Sequence, residues 1–261
     1  RPPLLCPGCP HSAAYFVIST LAQRAKVINS AGTADNESKY IITGDIGCYT
    51  LGTYPPFRAL DTTACMGAGI GQAIGMKKAG IEQKVIAVIG DSTFLHSGIT
   101  GLIDAYYNAA DITLVILDNG TTAMTGHQQH PGTGITARGE KTNSVKIEKI
   151  VAGIGIDQVQ VVDAFNVKEV RKAIKKALDF IHISVVIVRG ACAMLSPRNS
   201  SVMSIDQDEC TLCQTCLKIG CAAIQKDGEA VFIETALCRG ETCTICSQLC
   251  HQKAIHEINK D

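Results

Sequence analysis

Roughly the first 190 residues alternate between short, continuous apolar runs and longer amphipathic segments. The apolar runs have the length of strands, and we predict strands at Tyr40–Thr43, Val85–Ile89, Ile112–Leu117, Val159–Val162 and Ser184–Val188. Continuous runs are typical of parallel strands that are buried on both faces. We predict helices at His11–Lys26, Met66–Ala79, Ser97–Ala110, Val145–Ile154 and Val167–His182. This order predicts an α/β fold with a doubly wound, mostly parallel sheet.

The alternation ends after the last predicted strand, and a polar segment that contains Pro and Ser follows. We therefore predict a first domain at residues 1–192, a linker at 193–204 and a small α+β domain at 205–261. So short a second domain has little apolar core of its own, and bound metal is expected to hold it together.

Charge and composition exclude several classes of partner. The chain has 24 basic and 24 acidic residues, so no basic field favours nucleic acid or an anionic membrane. No apolar run is long enough to span a bilayer. The thirteen cysteines occur without a secretory or lipidation pattern, and we expect a reducing, cytoplasmic location. The sequence also begins without Met, which suggests an internal piece of a longer protein.

Eight of the thirteen cysteines lie in two linked runs near the end of the chain. The runs are Cys210-x2-Cys213-x2-Cys216-x4-Cys221 and Cys238-x4-Cys243-x2-Cys246-x3-Cys250. This spacing is typical of a ferredoxin-like domain with two cubane 4Fe–4S clusters, in which the fourth cysteine of each run binds the other cluster. The predicted sets are Cys210, Cys213, Cys216 and Cys250 for the first cluster, and Cys238, Cys243, Cys246 and Cys221 for the second.

The alternatives to clusters are zinc sites and disulfides. Zinc sites usually contain two CxxC pairs rather than a triplet with one further cysteine. Disulfides fit poorly with an odd number of cysteines and no signal peptide. The runs also depart from the usual ferredoxin pattern, because no proline follows Cys221 or Cys250 and two of the loops are longer. A longer loop can still reach an iron.

Two polar motifs follow neighbouring strands of the predicted sheet. Gly90-Asp91-Ser92-Thr93 comes directly after the second predicted strand, and Asp118-Asn119-Gly120-Thr121 comes after the third. Ligands of open α/β sheets bind at the carboxyl ends of the strands, where both motifs lie. A carboxylate from Asp91 and an amide oxygen from Asn119 suit a magnesium ion that also binds substrate phosphates. Either motif alone is also consistent with an ordinary turn that ends a strand.

Together the two motifs resemble the signature of thiamine diphosphate enzymes. In that family an Asp, an Asn-type side chain and a main-chain oxygen bind the metal, which implies Asp91, Asn119 and the carbonyl of Thr121. Further segments occur in an order typical of one family, at Cys6–His11, Gly44–Gly52, Cys65–Ala68, Gly90–Phe94 and Thr122–Gln128. The whole chain resembles the C-terminal half of the large subunit of indolepyruvate ferredoxin oxidoreductases, within the 2-oxoacid:ferredoxin oxidoreductase superfamily.

This resemblance implies an oxidoreductase that decarboxylates a 2-oxo acid, such as indolepyruvate or another aryl pyruvate, to an acyl-coenzyme A. The implied cofactors are thiamine diphosphate, magnesium and two or three 4Fe–4S clusters. Electrons pass through the clusters to ferredoxin. The implied partners are ferredoxin, a small subunit, coenzyme A and the 2-oxo acid, with neither nucleic acid nor membrane. Thiamine enzymes also need a pyrimidine-binding domain, which we expect in another part of the protein or in another subunit. The chain alone is expected to be inactive.

The resemblance also assigns roles to individual residues. It implies His11 and Cys48 as catalytic residues and a third, proximal cluster on Cys6, Cys9, Cys48 and Cys192. The implied cofactor-binding residues are Gly44, Asp45, Ile46, Gly47, Cys48, Met66, Gly67, Gly90, Asp91, Ser92, Thr93, Asn119, Thr121 and Met124. Packing in the core is the alternative for Met124.

Other assignments have simpler alternatives too. His11 is also consistent with an exposed histidine at a helix start, and Cys48 and Cys192 with small buried residues. His127 and His130 lie in a loop after the metal motif. There, both can face coenzyme or substrate, but we interpret His130 as a solvated loop residue.

Two other functions are consistent with the sequence. One is an electron-transfer iron–sulfur subunit whose α/β domain has no thiamine chemistry. The other is a non-redox thiamine decarboxylase with a structural cluster domain. The paired Asp91 and Asn119 argue against the first. The eight cysteines of the tail argue against the second, since a purely structural role needs only one metal.

Overall fold

The computed structural model describes residues 4–24, 38–197 and 201–259. Its largest element is a six-stranded sheet in the order β2-β1-β3-β4-β6-β5, in which neighbouring strands are parallel. The strands are β1 (Tyr40–Gly44), β2 (Thr62–Thr63), β3 (Lys84–Gly90), β4 (Ile112–Asp118), β5 (Val159–Asp163) and β6 (Ser184–Arg189). The predicted α/β fold with a parallel sheet is confirmed. No sequence pattern predicts β2, because two residues are too few to show a period.

Helices cover both faces of this sheet. They are α1 (His11–Arg24), α2 (Ala68–Lys78), α3 (Asp91–Thr93), α4 (Ile99–Tyr107), α5 (Ile147–Ile154) and α6 (Val167–Leu178). A π-helical turn, Phe94–Gly98, joins α3 to α4. Alternate residues of each central strand point to opposite cores, so Ile86 packs on the side of α1 and α6 and Ile89 on the side of α2 and α4. Residues 25 and 26 of the first predicted helix lie outside the described residues.

The cysteine-rich tail contains two small antiparallel sheets. In one, β7 (Ser201–Ile205) pairs with β10 (Ile255–Asn259), and in the other β8 (Ile224–Asp227) pairs with β9 (Ala230–Ile233). A short helix, α7 (Ile245–Leu249), precedes β10. The strand β7 begins inside the segment 193–204 that the sequence predicts as a linker. It forms there because Val202 and Met203 bury apolar side chains.

The tail packs on the face of the sheet that carries α1 and α6. Buried Ile219 and Ile245 of the tail belong to the same apolar core as those two helices. Gln248 accepts a hydrogen bond from the N–H of Val167 at 3.0 Å and donates to the carbonyl of Phe165 at 2.6 Å. The cysteine loops are thereby held next to the sheet. Across the described part of the chain, every helix lacks the length or the apolar character needed to cross a bilayer.

Candidate functional site

The two predicted turns meet at the carboxyl edge of the sheet. Asp91 begins α3 directly after β3, and its Oδ2 accepts a hydrogen bond from the N–H of Gly120 at 2.8 Å. Its Oδ1 accepts from the N–H of Ser92, also at 2.8 Å. Asn119 follows β4, and its Oδ1 accepts from the N–H of Thr121 at 3.2 Å. The fold thus brings the predicted magnesium ligands into two turns that are bonded to each other.

These turns line a cleft at the carboxyl edge of the sheet, which is where ligands of open α/β sheets bind. Its walls contain His11, which is predicted to be catalytic, and most of the residues predicted to bind cofactor, namely Ile46, Gly47, Cys48, Met66, Gly90, Asp91, Ser92, Thr93, Asn119, Thr121 and Met124. Met124 is 47 % exposed at this cleft, so core packing is the wrong interpretation. Gly44, Asp45 and Gly67 lie outside the lining. Asp45 is buried, and its Oδ2 accepts from the N–H of Gly67 at 2.8 Å.

Tyr49 also lines the cleft, although no sequence pattern assigns it a role. Its ring packs against Gly90, where a β-carbon would lie 2.5 Å from Cε1 of Tyr49. Its hydroxyl donates to Oδ1 of Asp45 and lies 3.0 Å from Oγ1 of Thr93. Burial raises the pKa of Asp45 to about 6, and it raises the pKa of Tyr49 as well. Tyr49 therefore links the loop after β1 to the Asp91 turn.

His11 begins α1 and is 2 % exposed, so an exposed histidine at a helix start is the wrong interpretation. Its Nε2 lies 3.4 Å from Nδ2 of Asn119. Burial lowers the pKa of His11 to about 4, and the charge of Asp91 opposes part of that shift. The imidazole is therefore neutral at physiological pH and presents one donor and one acceptor nitrogen.

His130 is also buried, so its interpretation as a solvated loop residue is wrong. Its Nε2 lies 3.2 Å from Oδ2 of Asp91, and its Nδ1 accepts from the N–H of Gly132 at 3.1 Å. Burial alone would raise the pKa of Asp91. The adjacent imidazole of His130 and the amide of Ser92 instead hold that pKa below its usual value. His130 thus favours the ionised carboxylate that a metal needs.

Asp118 anchors the end of β4, next to the turn that carries Asn119. Its Oδ2 accepts a hydrogen bond from Nε of Arg189 at 2.7 Å. Nη2 of Arg189 in turn donates to Oε2 of Glu148 at 2.8 Å. Burial raises the pKa of Asp118, although Arg189 opposes the shift. This network positions the strand end, and hence Asn119, relative to α5 and β6.

The four cysteines predicted to hold a proximal cluster lie together beside the cleft. Burial raises the pKa of the Cys9 thiol well above its usual value, and the thiols of Cys6, Cys48 and Cys192 add to that shift. Burial likewise raises the pKa of Cys48 to about 11, with Cys6 and Cys192 adding to it. Nε2 of His127 lies 3.9 Å from Sγ of Cys192. Since Cys48 also lines the cleft, it belongs to both the cleft and this group of thiols.

The tail cysteines form two further groups, and all thirteen cysteines of the chain are free thiols. One small pocket is lined by Cys210, Cys213, Cys216 and Cys250. In the other group, burial raises the pKa of Cys246, and the shift is increased by Cys243, Cys221 and Cys238. The residues in each group are the same as those in the sets that the spacing predicts.

The two cysteine runs also share a backbone feature. In Cys213-x2-Cys216 the residue after the first cysteine, Gln214, has a φ of 58°, and in Cys243-x2-Cys246 the equivalent Thr244 has a φ of 50°. Left-handed backbone conformations cost a non-glycine residue roughly 1–2 kcal/mol and cluster at functional sites. The equivalence is consistent with an internal repeat.

Over residues 4–24, 38–197 and 201–259, His, Cys, Asp and Glu side chains nowhere form a group of three or more around one metal-ion position. The predicted magnesium site would not form such a group, because only one of its ligands, Asp91, is a carboxylate. The other two predicted ligands are an amide oxygen and a main-chain oxygen. The four cysteine sulfurs that bind a cubane surround the whole cluster, so they lie further apart than the ligands of a single metal ion.

The sequence matches one protein family, described as thiamine pyrophosphate enzyme, C-terminal TPP binding domain, over residues 45–188. The chain belongs to this family. The matched residues run from Asp45 almost to the end of β6, and they include both turns of the cleft. Residues 45–188 therefore belong to a thiamine diphosphate-binding domain.

Relatives extend the match beyond this domain. The chain is 44 % identical over 261 residues to indolepyruvate oxidoreductase subunit IorA of Archaeoglobus fulgidus, with 98 % of this chain and 40 % of the relative covered. It is 41 % identical over 263 residues to the subunit of the same name from Methanothermobacter marburgensis, covering 100 % of this chain and 41 % of the relative. The resemblance to indolepyruvate oxidoreductases is therefore confirmed. The chain spans about two fifths of the length of these curated relatives.

A solved structure supports the fold. It is the 2-oxoglutarate:ferredoxin oxidoreductase from Magnetococcus marinus with 2-oxoglutarate, coenzyme A and succinyl-CoA bound. The TM-score is 0.63 at 20 % identity, with 76 % of this chain and 67 % of that chain covered. At this identity the similarity concerns the fold alone.

Proposed function

We propose that this chain is the thiamine diphosphate-binding and electron-transfer part of a 2-oxoacid oxidoreductase. The proposed substrate is an aryl pyruvate such as indolepyruvate, the product is an acyl-coenzyme A and the electron acceptor is ferredoxin. The observation that carries the proposal is the position of Cys48, which lines the cofactor cleft and also neighbours Cys6, Cys9 and Cys192. One residue thus joins a site for carbon chemistry to a group of thiols that can hold a redox cluster.

The cleft residues fit the cofactor and its metal. Thiamine diphosphate, when bound, supplies the chemistry that releases carbon dioxide from a 2-oxo acid. Asp91, Asn119 and the carbonyl of Thr121 are the proposed magnesium ligands, and an all-oxygen set suits this hard cation. The Oγ1 of Thr121 is buried and has no hydrogen-bond partner among the described residues. Such an atom is expected where a ligand supplies the missing partner.

Other residues of the cleft suit a polar reaction on an aromatic substrate. His11 is the proposed group next to the reacting atoms, because a neutral imidazole can donate a hydrogen bond to a carboxylate or a developing oxyanion. Ile46, Met66 and Met124 present exposed apolar surface to the cleft. Apolar side chains at this position can pack against an aryl ring and exclude water from it.

The three groups of thiols are the proposed electron route. The proximal cluster is assigned to Cys6, Cys9, Cys48 and Cys192, the second to Cys238, Cys243, Cys246 and Cys221, and the first to Cys210, Cys213, Cys216 and Cys250. The backbone of Gly8, inside the Cys6–Cys9 loop, opposes the burial that raises the pKa of the Cys221 thiol, so this loop of the proximal group lies beside the second group. We propose a thiamine diphosphate-binding domain followed by a ferredoxin-like two-cluster domain, with β7 as the first strand of the latter.

The complete enzyme needs further parts. A pyrimidine-binding domain, with the glutamate that activates the cofactor, is proposed to face the cleft from another part of the protein or another subunit. A small subunit, ferredoxin and coenzyme A are the other proposed partners. They follow from the resemblance to the longer oxidoreductase subunits, and the activity of this chain alone is expected to be nil.

Calorimetric binding of thiamine diphosphate with magnesium tests the proposal on anaerobically purified complete protein. Asp91→Ala is expected to weaken binding by more than about 100-fold, since even an outer partner of a metal site is worth 10–100-fold. Its iron content should stay at the wild-type value. The control is Asp157→Ala, which changes an exposed carboxylate. Normal binding by Asp91→Ala would contradict the metal assignment. Release of carbon dioxide without ferredoxin reduction would favour the non-redox decarboxylase instead.

A further inference from the structure

Arg239 is a buried cation in the cysteine-rich tail. It follows Cys238 and is 8 % exposed. Its Nη1 donates to the carbonyl of Ser196 at 3.4 Å, and its Nη2 lies 3.7 Å from Sδ of Met194. No carboxylate of the described residues forms an ion pair with it, and the neighbouring segment 198–200 contains no acidic residue. Because arginine stays protonated in proteins, a positive charge is buried here without a carboxylate partner among the residues that the structure describes.

The side chain of Arg239 lies between two of the thiol groups. Its stem packs on Gly8, where a β-carbon would lie 2.6 Å from Cγ of Arg239. Gly8 belongs to the Cys6–Cys9 loop of the proximal group, and its backbone opposes the burial that raises the pKa of Cys221 in the second group. Arg239 is also close enough to the Cys6 thiol to influence it electrostatically. The guanidinium is therefore close to the proximal group, and the residue itself adjoins Cys238 of the second group in the chain.

A buried charge is strongly destabilising unless an opposite charge offsets it. The described protein atoms around Arg239 offer a carbonyl and a thioether, which are neutral. A cluster held by four thiolates carries a net negative charge, and each electron that it accepts adds one more. The negative partner that the described protein atoms lack is therefore the one that neighbouring clusters would provide.

We propose that Arg239 is a positioning residue for electron transfer, whose buried charge stabilises the reduced state of the proximal and second clusters. This inference rests on the proposed function, which assigns clusters to those cysteines. Oxidation of one 2-oxo acid releases two electrons, which travel singly, and each reduces one ferredoxin at the end of the route. An electron that passes Arg239 adds one negative charge and no proton. The guanidinium offsets this charge and so raises the potential of the route.

The test is a redox titration, followed by EPR, of the anaerobically purified complete protein and four variants. Arg239→Gln and Arg239→Met remove the charge. They are expected to lower the equilibrium constant for one-electron reduction of the proximal or second cluster by about tenfold or more, a shift of about −59 mV. Arg239→Lys keeps the charge and should stay close to the wild-type potential. Lys218→Met, which removes an exposed cation of the same tail, should have a much smaller effect.

Wild-type potentials in Arg239→Gln at full iron content would overturn the inference. Equal shifts in Arg239→Lys and Arg239→Gln would also overturn it, because the shape of the side chain would then matter and not its charge. If Arg239→Met loses iron, the iron content of the other two Arg239 variants decides. Loss of iron in Arg239→Gln but not in Arg239→Lys supports the role of the charge. Loss of iron in both variants contradicts it. Missing iron in the wild-type proximal group would instead contradict the proposed function, and iron analysis detects this before any variant is compared.

Discussion

The imidazole Nε2 of His130 lies 3.2 Å from the Oδ2 of Asp91, although β4 and a long loop separate the two residues in sequence. The same carboxylate oxygen accepts a hydrogen bond from the N–H of Gly120. Burial would raise the pKa of Asp91, and His130 holds it below the usual value. A residue outside the metal motif therefore controls the ionisation of the proposed metal ligand.

Replacement of His130 by Ala is expected to raise the pKa of Asp91, because burial then acts without the opposing imidazole. A protonated Asp91 cannot bind magnesium. As the pH falls, His130→Ala should thus lose affinity for thiamine diphosphate and magnesium at a higher pH than the wild type, with little change at alkaline pH. Calorimetric titrations over a range of pH measure this. The control is His256→Ala, which changes an exposed side chain of β10. Identical pH profiles for the two variants would contradict the role of His130.

Tyr49→Phe is expected to destabilise the loop after β1. The change removes the hydroxyl that donates to Asp45 and contacts Thr93. A buried acceptor that loses its donor costs about 1–3 kcal/mol, and the free energy of unfolding should fall by about that amount. Affinity for thiamine diphosphate should fall too, because the loop and the Asp91 turn lose a connection. Chemical denaturation of Tyr49→Phe and of the 86 % exposed Tyr107→Phe makes the comparison. Equal stability of the two would show that the hydroxyl does not hold Asp45.

Gly8 and Gly71 differ in the space around them, and this difference gives a further prediction. Gly8 has a φ of +72°, and a β-carbon there would meet Cγ of Arg239 at 2.6 Å. Gly8→Ala should therefore destabilise the protein by about 1–2 kcal/mol or more from the backbone alone and lower its iron content. Gly71 lies within α2, where a β-carbon has nothing within 4 Å, and Gly71→Ala should stabilise by about 0.5–1 kcal/mol. Full iron content and stability in Gly8→Ala would contradict the close contact between the loop and the tail.

The strands of the sheet are predictable from the sequence because both of their faces are buried. Val85–Ile89 and Ile112–Leu117, for example, are predicted to within one residue of β3 and β4. The turns that follow them are predictable too, since Gly, Asp and Asn are typical turn residues and both motifs directly follow predicted strands. The spacing of the tail cysteines likewise predicts the two groups that the fold brings together.

The remaining site residues depend on contacts between distant segments. Tyr49 looks like any aromatic residue of a Gly-rich loop until the fold places its ring on Gly90 and its hydroxyl on Asp45. His130 lies in a polar loop, and only the return of that loop to Asp91 buries it. The strand β7 is not predicted from the sequence, because the polar segment with Pro and Ser before it is typical of a linker. These features come from packing, and no local periodicity encodes them.

We propose that one polypeptide joins a thiamine diphosphate site to three groups of cysteines that bind iron–sulfur clusters. The iron and acid-labile sulfide content per chain of anaerobically purified protein, with an EPR spectrum after dithionite reduction, tests this proposal directly. We expect about twelve iron atoms and about twelve sulfides, with interacting cubane signals. About eight of each would remove Cys6, Cys9, Cys48 and Cys192 from the electron route. Iron near zero after careful anaerobic handling would contradict all three cluster assignments.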